Sequence, residues 1–135
     1  MRYDLYQGDL LIASFASAAE VGASRLAGLV PDGTAVVAAP SADDVRAECQ
    51  RRIHLVLGAR DQEHALVIQT RAHEEAIRIL DKKSSGEPLA ADEQAAAARF
   101  RAVQAELAVL RAASNAMEAS PPADFAADAR WAAGS

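Results

Sequence analysis

Three histidines, His54, His64 and His73, are the first residues in this 135-residue chain that could do chemistry. Two imidazoles share a metal ion from one helix when they stand three or four residues apart, and these stand roughly ten apart. His73-Glu74-Glu75 lacks the second histidine of a zinc-protease helix. One histidine from each of three chains around an oligomer axis is the remaining metal geometry, and hydrogen-bonded surface histidines account for the pattern without it. The single cysteine, Cys49, is spaced with Val45 and Ile53, as a buried small hydrophobe would be, and has no histidine placed to activate it. Asp43/Asp44 and Glu74/Glu75 are the paired carboxylates. Neighbours on a helix point apart, and the first pair heads a helix, so neither makes an acid–base couple. Gly22 and Gly28 form neither a dinucleotide fingerprint nor a phosphate loop. Arg51-Arg52 and Lys82-Lys83 have Glu48 and Asp81 close by, the pattern of solvated faces. No catalytic residue, cofactor site or metal ligand is assigned, and a non-enzymatic role is expected.

Composition points the same way. The chain is 51% hydrophobic but only 4% aromatic, with alanine supplying much of the rest, so the apolar total overstates the core. A net charge of -5 is the opposite of the basic footprint that nucleic-acid backbones select, so nucleic acid is not an expected partner. One cysteine excludes an intramolecular disulfide framework. Met1-Arg2-Tyr3-Asp4 does not begin a signal peptide, and Leu10 to Ala19 is too short and interrupted to span a bilayer, so no membrane partner and a soluble, cytosolic product are expected.

The elements that must position any site divide into three stretches. Residues 1–40 read as a small β-rich unit. Tyr3 to Tyr6 and Leu10 to Phe15 flank Gln7-Gly8-Asp9, a hairpin signal, and Ala35 to Ala38 reads as a third strand after the turn at Pro31-Asp32-Gly33. Ser17 to Leu29 stays open, since Gly22 and Gly28 weaken a helix that Val21, Leu26 and Leu29 would permit. Residues 41–119 read as helical. Ser41-Ala42-Asp43-Asp44 is a shortened capping box, followed by apolar residues at Val45, Cys49, Ile53, Val56 and Leu57. Gly58 to Asp61 implies a kink or two consecutive helices, and Ala65, Leu66, Ile68, Ala72, Ala76, Ile79 and Leu80 resume the stripe until Asp81 to Pro88 ends it.

The next helix opens at Asp92-Glu93. Ala96, Phe100, Val103, Leu107, Leu110, Ser114 and Met117 follow a 4-3-4-3-4-3 spacing, a heptad seam. It supports either an antiparallel hairpin with the preceding stripe or a coiled coil with another chain. Small residues remove little surface, so self-association is expected to support the arm, and a homo-oligomer is inferred. Residues 120–135 form an extended Pro/Trp tail: Pro121-Pro122 cannot continue the helix, and Phe125 and Trp131 are expected to dock on the helices or a partner. The expected fold class is α+β, with Phe100, Val103, Leu107, Leu110 and Met117 as packing or interface residues and Phe125 and Trp131 as tail anchors.

Over nearly its full length the chain resembles small tail-fibre assembly or tail-fibre-associated proteins of tailed bacteriophages and prophages. The phrases that carry the resemblance are Gly8-Asp9-Leu10-Leu11-Ile12, Asp32-Gly33-Thr34-Ala35-Val36-Val37, Glu48-Cys49-Gln50-Arg51-Arg52-Ile53, Leu110 to Glu118, and Pro121-Pro122-Ala123-Asp124-Phe125 to Trp131. The last is the most specific. The tryptophan-containing or Asn-rich middle of that class is replaced here by Asp61-Gln62-Glu63-His64. The resemblance implies a protein that binds tail-fibre or tail subunits through its arm and tail, as assembly chaperone or adaptor, in the host cytoplasm. The alternatives are a structural component retained in the virion tail and an unrelated cytosolic helical adaptor.

Overall fold

The structure, a computed structural model, describes residues 1–133. Its elements are β1 (Arg2–Gln7), β2 (Leu10–Phe15), α1 (Ala18–Leu26), β3 (Ala35–Ala39), α2 (Ala42–Leu57), α3 (Gln62–Ser84) and α4 (Ala91–Glu118), then a 3-10 turn at Asp128–Arg130. The class is α+β, a small antiparallel sheet followed by helices. Two compact units divide the chain, one joining Met1–Glu48 to the chain from Ala113 onward and the other spanning Cys49–Ala112. Their boundaries lie inside α2 and α4, whereas composition changes near residues 40 and 119. Composition marks where one element gives way to the next, while compactness marks where side chains meet, and a long helix can pass through that boundary unbroken.

In the first unit the strands run in the order β2-β1-β3, both pairings antiparallel. Gly8 takes the positive φ of 63° that a two-residue hairpin turn needs at its first central position. The register shifts between Leu5 and Tyr6, which makes Ile12 the extra residue of a bulge. Asp4 lies opposite Ser14, and this pairing, invisible to a search for local motifs, gives the buried carboxylate an Oγ–H donor at 2.7 Å, with Arg2 at 3.0 Å. The open segment after β2 becomes α1: Ser17 Oγ accepts from Glu20 N at 3.2 Å, and Glu20 accepts from Ala16 N at 2.9 Å. That reciprocal cap outweighs Gly22, and the helix ends before Gly28, at φ 71°.

The shortened capping box forms as expected. Asp44 N donates to Ser41 Oγ at 3.3 Å and the Asp44 carboxylate accepts from Ser41 N at 2.7 Å. Arg46 joins Asp43 at 2.7 Å and Glu118 at 3.0 Å, and Glu118 accepts from the buried Ser114 hydroxyl at 2.8 Å. Past α4 the tail has no regular structure at Pro121 and Pro122, then closes into turns from Ala123, with Ala127 extended before the 3-10 turn. Trp131 Nε1–H donates to the Phe125 carbonyl at 2.6 Å and Arg130 pairs with Asp124 at 2.8 Å, so the tail is held by bonds of its own.

In the second unit Gly58, at φ 66°, ends α2, and Asp61 caps α3 by accepting from His64 N at 2.7 Å, which makes two helices rather than a kinked one. α3 stops at Ser84, with Gly86 at φ 74°. The pairs Arg78–Glu93, Lys82–Glu93 and His73–Phe100 show α3 and α4 running antiparallel, since rising numbers on one meet falling numbers on the other. The α3–α4 hairpin forms within one chain, and Leu107 and Leu110 of the α4 seam are buried.

Candidate docking surface

The α4 seam supplies most of the residues singled out from the sequence. Leu107 is fully buried, and Leu110 and Met117 are each 8% exposed. Trp131 is 3% exposed, and Phe125 is half-buried beside it through the shared hydrogen bond. These positions pack the protomer, and a partner cannot reach Leu107, Leu110, Met117 or Trp131 without opening it. Phe100 and Val103 differ: both are half-buried and border a cleft in the second unit. The Phe100 ring meets His73 edge-to-face, with centroids 5.3 Å apart.

α3 departs from its expected single stripe. Ala65 and Ile79 are buried and Ile68, Ala72 and Ala76 half-buried, but Leu66 and Leu80 are 53% and 61% exposed. A helix turns 100° per residue, so Leu66 and Leu80 each stand 100° round the helix from their buried neighbours Ala65 and Ile79. They belong to a second row, Leu66, Thr70, His73, Ile77 and Leu80, which repeats the 4-3-4-3 spacing of α4 and faces water. Ile77 in this row is 60% exposed, and Val67 flanks it. The spacing was there to be found, because a heptad row is a row whether or not the chain covers it. The sheet adds Leu10, Leu11 and Val37 to the exposed aliphatics, on edge strands β2 and β3.

Electrostatics near this surface are structural. Glu93, in the first turn of α4, receives Lys82 Nζ at 2.7 Å, Arg78 Nη1 at 2.9 Å and Ala90 N at 3.1 Å. The Lys82 hydrogen bond, the Ala90 amide and Arg78 together lower its pKa from 4.5 to about 2. One carboxylate thus caps α4 and clamps it to α3. Lys82 is matched by this distant residue rather than by its neighbour Asp81. The Ser41 amide lowers the Asp44 carboxyl, and the Arg130 hydrogen bond lowers Asp124.

The histidines stay apart in role. His54 meets Gln50 and Gln62 at 3.0 Å each, His64 Nδ1 accepts from Arg60 N at 3.2 Å, and His73 donates to the Gln69 carbonyl at 2.7 Å. Cys49 is buried, its thiol 3.7 Å from the Leu110 carbonyl. Among the described residues no three His, Cys, Asp or Glu side chains gather where they could hold a metal ion, and no helix is long and apolar enough to cross a membrane. No protein-family model matches the chain, and no curated protein or solved structure shows significant similarity to it.

Proposed function

We propose that the protein is a non-enzymatic docking protein of a bacteriophage or prophage tail, binding tail-fibre subunits in the host cytoplasm as an assembly chaperone or adaptor. The observation that carries this reading is the outward row of α3, where Leu66, Ile77 and Leu80 are each more than half exposed while the α4 row is spent on the core. Exposed aliphatic side chains recurring along one side of a helix offer a surface on which another protein can dock. A helix with an apolar face on water fits a partner that lays its own apolar face along it. The Pro121-to-Trp131 phrase, held in place by its own hydrogen bonds, adds the family resemblance to the physical argument.

The test is co-expression with the neighbouring fibre subunit and capture on the tagged protein. The wild type retains the subunit; the triple variant Leu66→Ser, Ile77→Ser, Leu80→Ser keeps its helical circular dichroism and loses the subunit. Failure of the wild type to retain it overturns the reading. Self-association through the same row is the competing use, and light scattering separates the two: a dimer that the triple variant abolishes would assign the row to a second copy. Stoichiometric signal in purified particles would make the protein a virion component.

A further inference from the structure

The cleft in the second unit has a volume of about 200 Å³ and lies between the end of α2 and the facing sides of α3 and α4. Its origin is legible in side-chain size. Ala72 and Ala76 on α3 face Ala96 and Ala97 on α4, and a methyl group reaches too short a distance to close the space between two helices. Phe100, the aromatic side chain of its lining, turns its ring to His73. All four alanines remain half-buried, so the cleft opens to water.

A dry cavity of about 150 Å³ admits a benzene ring, whereas pockets for drug-sized ligands run from about 300 Å³ upward. The cleft therefore matches one aromatic or branched aliphatic side chain. Its mouth carries an unmatched charge. Glu75 at the rim is answered by Arg78 at 3.8 Å. Arg99, also at the rim, has no carboxylate partner among the described residues. The positions three and four residues to either side of it on α4 are Ala95, Ala96, Ala102 and Val103, so its own helix offers none.

We propose that this cleft is an anchor site for a partner polypeptide: it takes one aromatic or branched aliphatic side chain, and Arg99 pairs with a carboxylate beside that side chain. The proposal rests on the docking reading above and adds what the partner must present. The outward row of α3 supplies area, which binds many apolar faces alike. The cleft with Arg99 supplies selectivity, because a partner lacking the apolar side chain leaves the cleft unfilled and one lacking the acid forgoes the ion pair.

N-acetyl-L-phenylalanine carries both features and serves as the probe, titrated into the ¹⁵N-labelled full chain with amide shifts followed by NMR. The expected result is saturable shifts confined to the cleft, centred on Ala72, Ala76, Ala96, Ala97 and Phe100. The neutral N-acetyl-L-phenylalaninamide binds about threefold more weakly, as befits loss of an exposed ion pair. Arg99→Gln removes that difference, and Ala72→Leu, which plugs the cleft, removes binding of both. Ala97→Val is the milder plug if Ala72→Leu loses helical structure. Scattered or absent shifts, equal binding of acid and amide by the wild type, or unaltered binding by the plugged variant overturns the proposal. Capture of the fibre subunit keeps the two readings apart. Retention by wild type and plugged variant alike sinks the anchor and leaves the docking reading standing; no retention by the wild type, with the probe still seated, sinks the docking reading and leaves the anchor supported.

Discussion

α3 and α4 face each other in one hairpin, and both carry apolar residues at heptad spacing, yet they use them in opposite ways. The α4 row turns inward and is buried from Leu107 to Met117, while α3 has an inner row thinned by Ala65, Ala72 and Ala76 and an outer row with Leu66, Ile77 and Leu80 on water. Periodicity identifies a face. It does not say what covers it. A helix needs one apolar face to hold its place in a fold, and a second one of larger residues adds nothing to that place, so the surplus on α3 is where the chain departs from the needs of its own stability.

Substitutions can break or sharpen this contrast. The largest effect is expected at Leu107→Ala, about 2–5 kcal/mol in urea unfolding, because the side chain is fully buried and leaves a cavity. The sharpest comparison is between neighbours. Ile79→Ala, at 5% exposure, should cost about 2–4 kcal/mol, and Leu80→Ala, at 61% exposure, about 0.5 kcal/mol or less. Equal losses would mean that the outer row is covered after all. Ser41→Ala, which removes the cap of α2, should cost about 1 kcal/mol, and Ser41→Gly less.

Glu93 tests the clamp through pH. Its pKa is about 2 in the folded chain against an ordinary 4.5, so its stabilising contribution is complete above about pH 4.5 and is lost as the pH falls towards 2. Glu93→Gln should therefore lower the melting temperature at pH 7, with the two melting curves converging near pH 2. A gap that persists undiminished at pH 2 would locate the effect in packing rather than charge.

Several features were readable along the chain because each is decided within a few residues. Gly8 at the hairpin, the Ser41–Asp44 box and Gly86 after α3 depend on φ angles and on hydrogen bonds spanning three or four positions. The α4 seam was readable for the same reason, as a repeat along one helix. The segment after β2 was not, since the glycine penalty and the reciprocal cap at Ser17 and Glu20 are of similar size and only the folded chain shows which prevails.

By itself, then, the sequence determined the α+β class, the Ser41–Asp44 cap, the breaks and the existence of apolar rows, all of which follow from local conformational energy. Tertiary structure alone decided that Lys82 meets Glu93, that Asp4 meets Ser14, which of the α3 rows turns inward, and that four alanines and Arg99 enclose an open cleft. Those outcomes depend on which surfaces come together across long stretches of chain. The energy of such a meeting belongs to the pair, and neither partner carries a mark of it in its own neighbourhood.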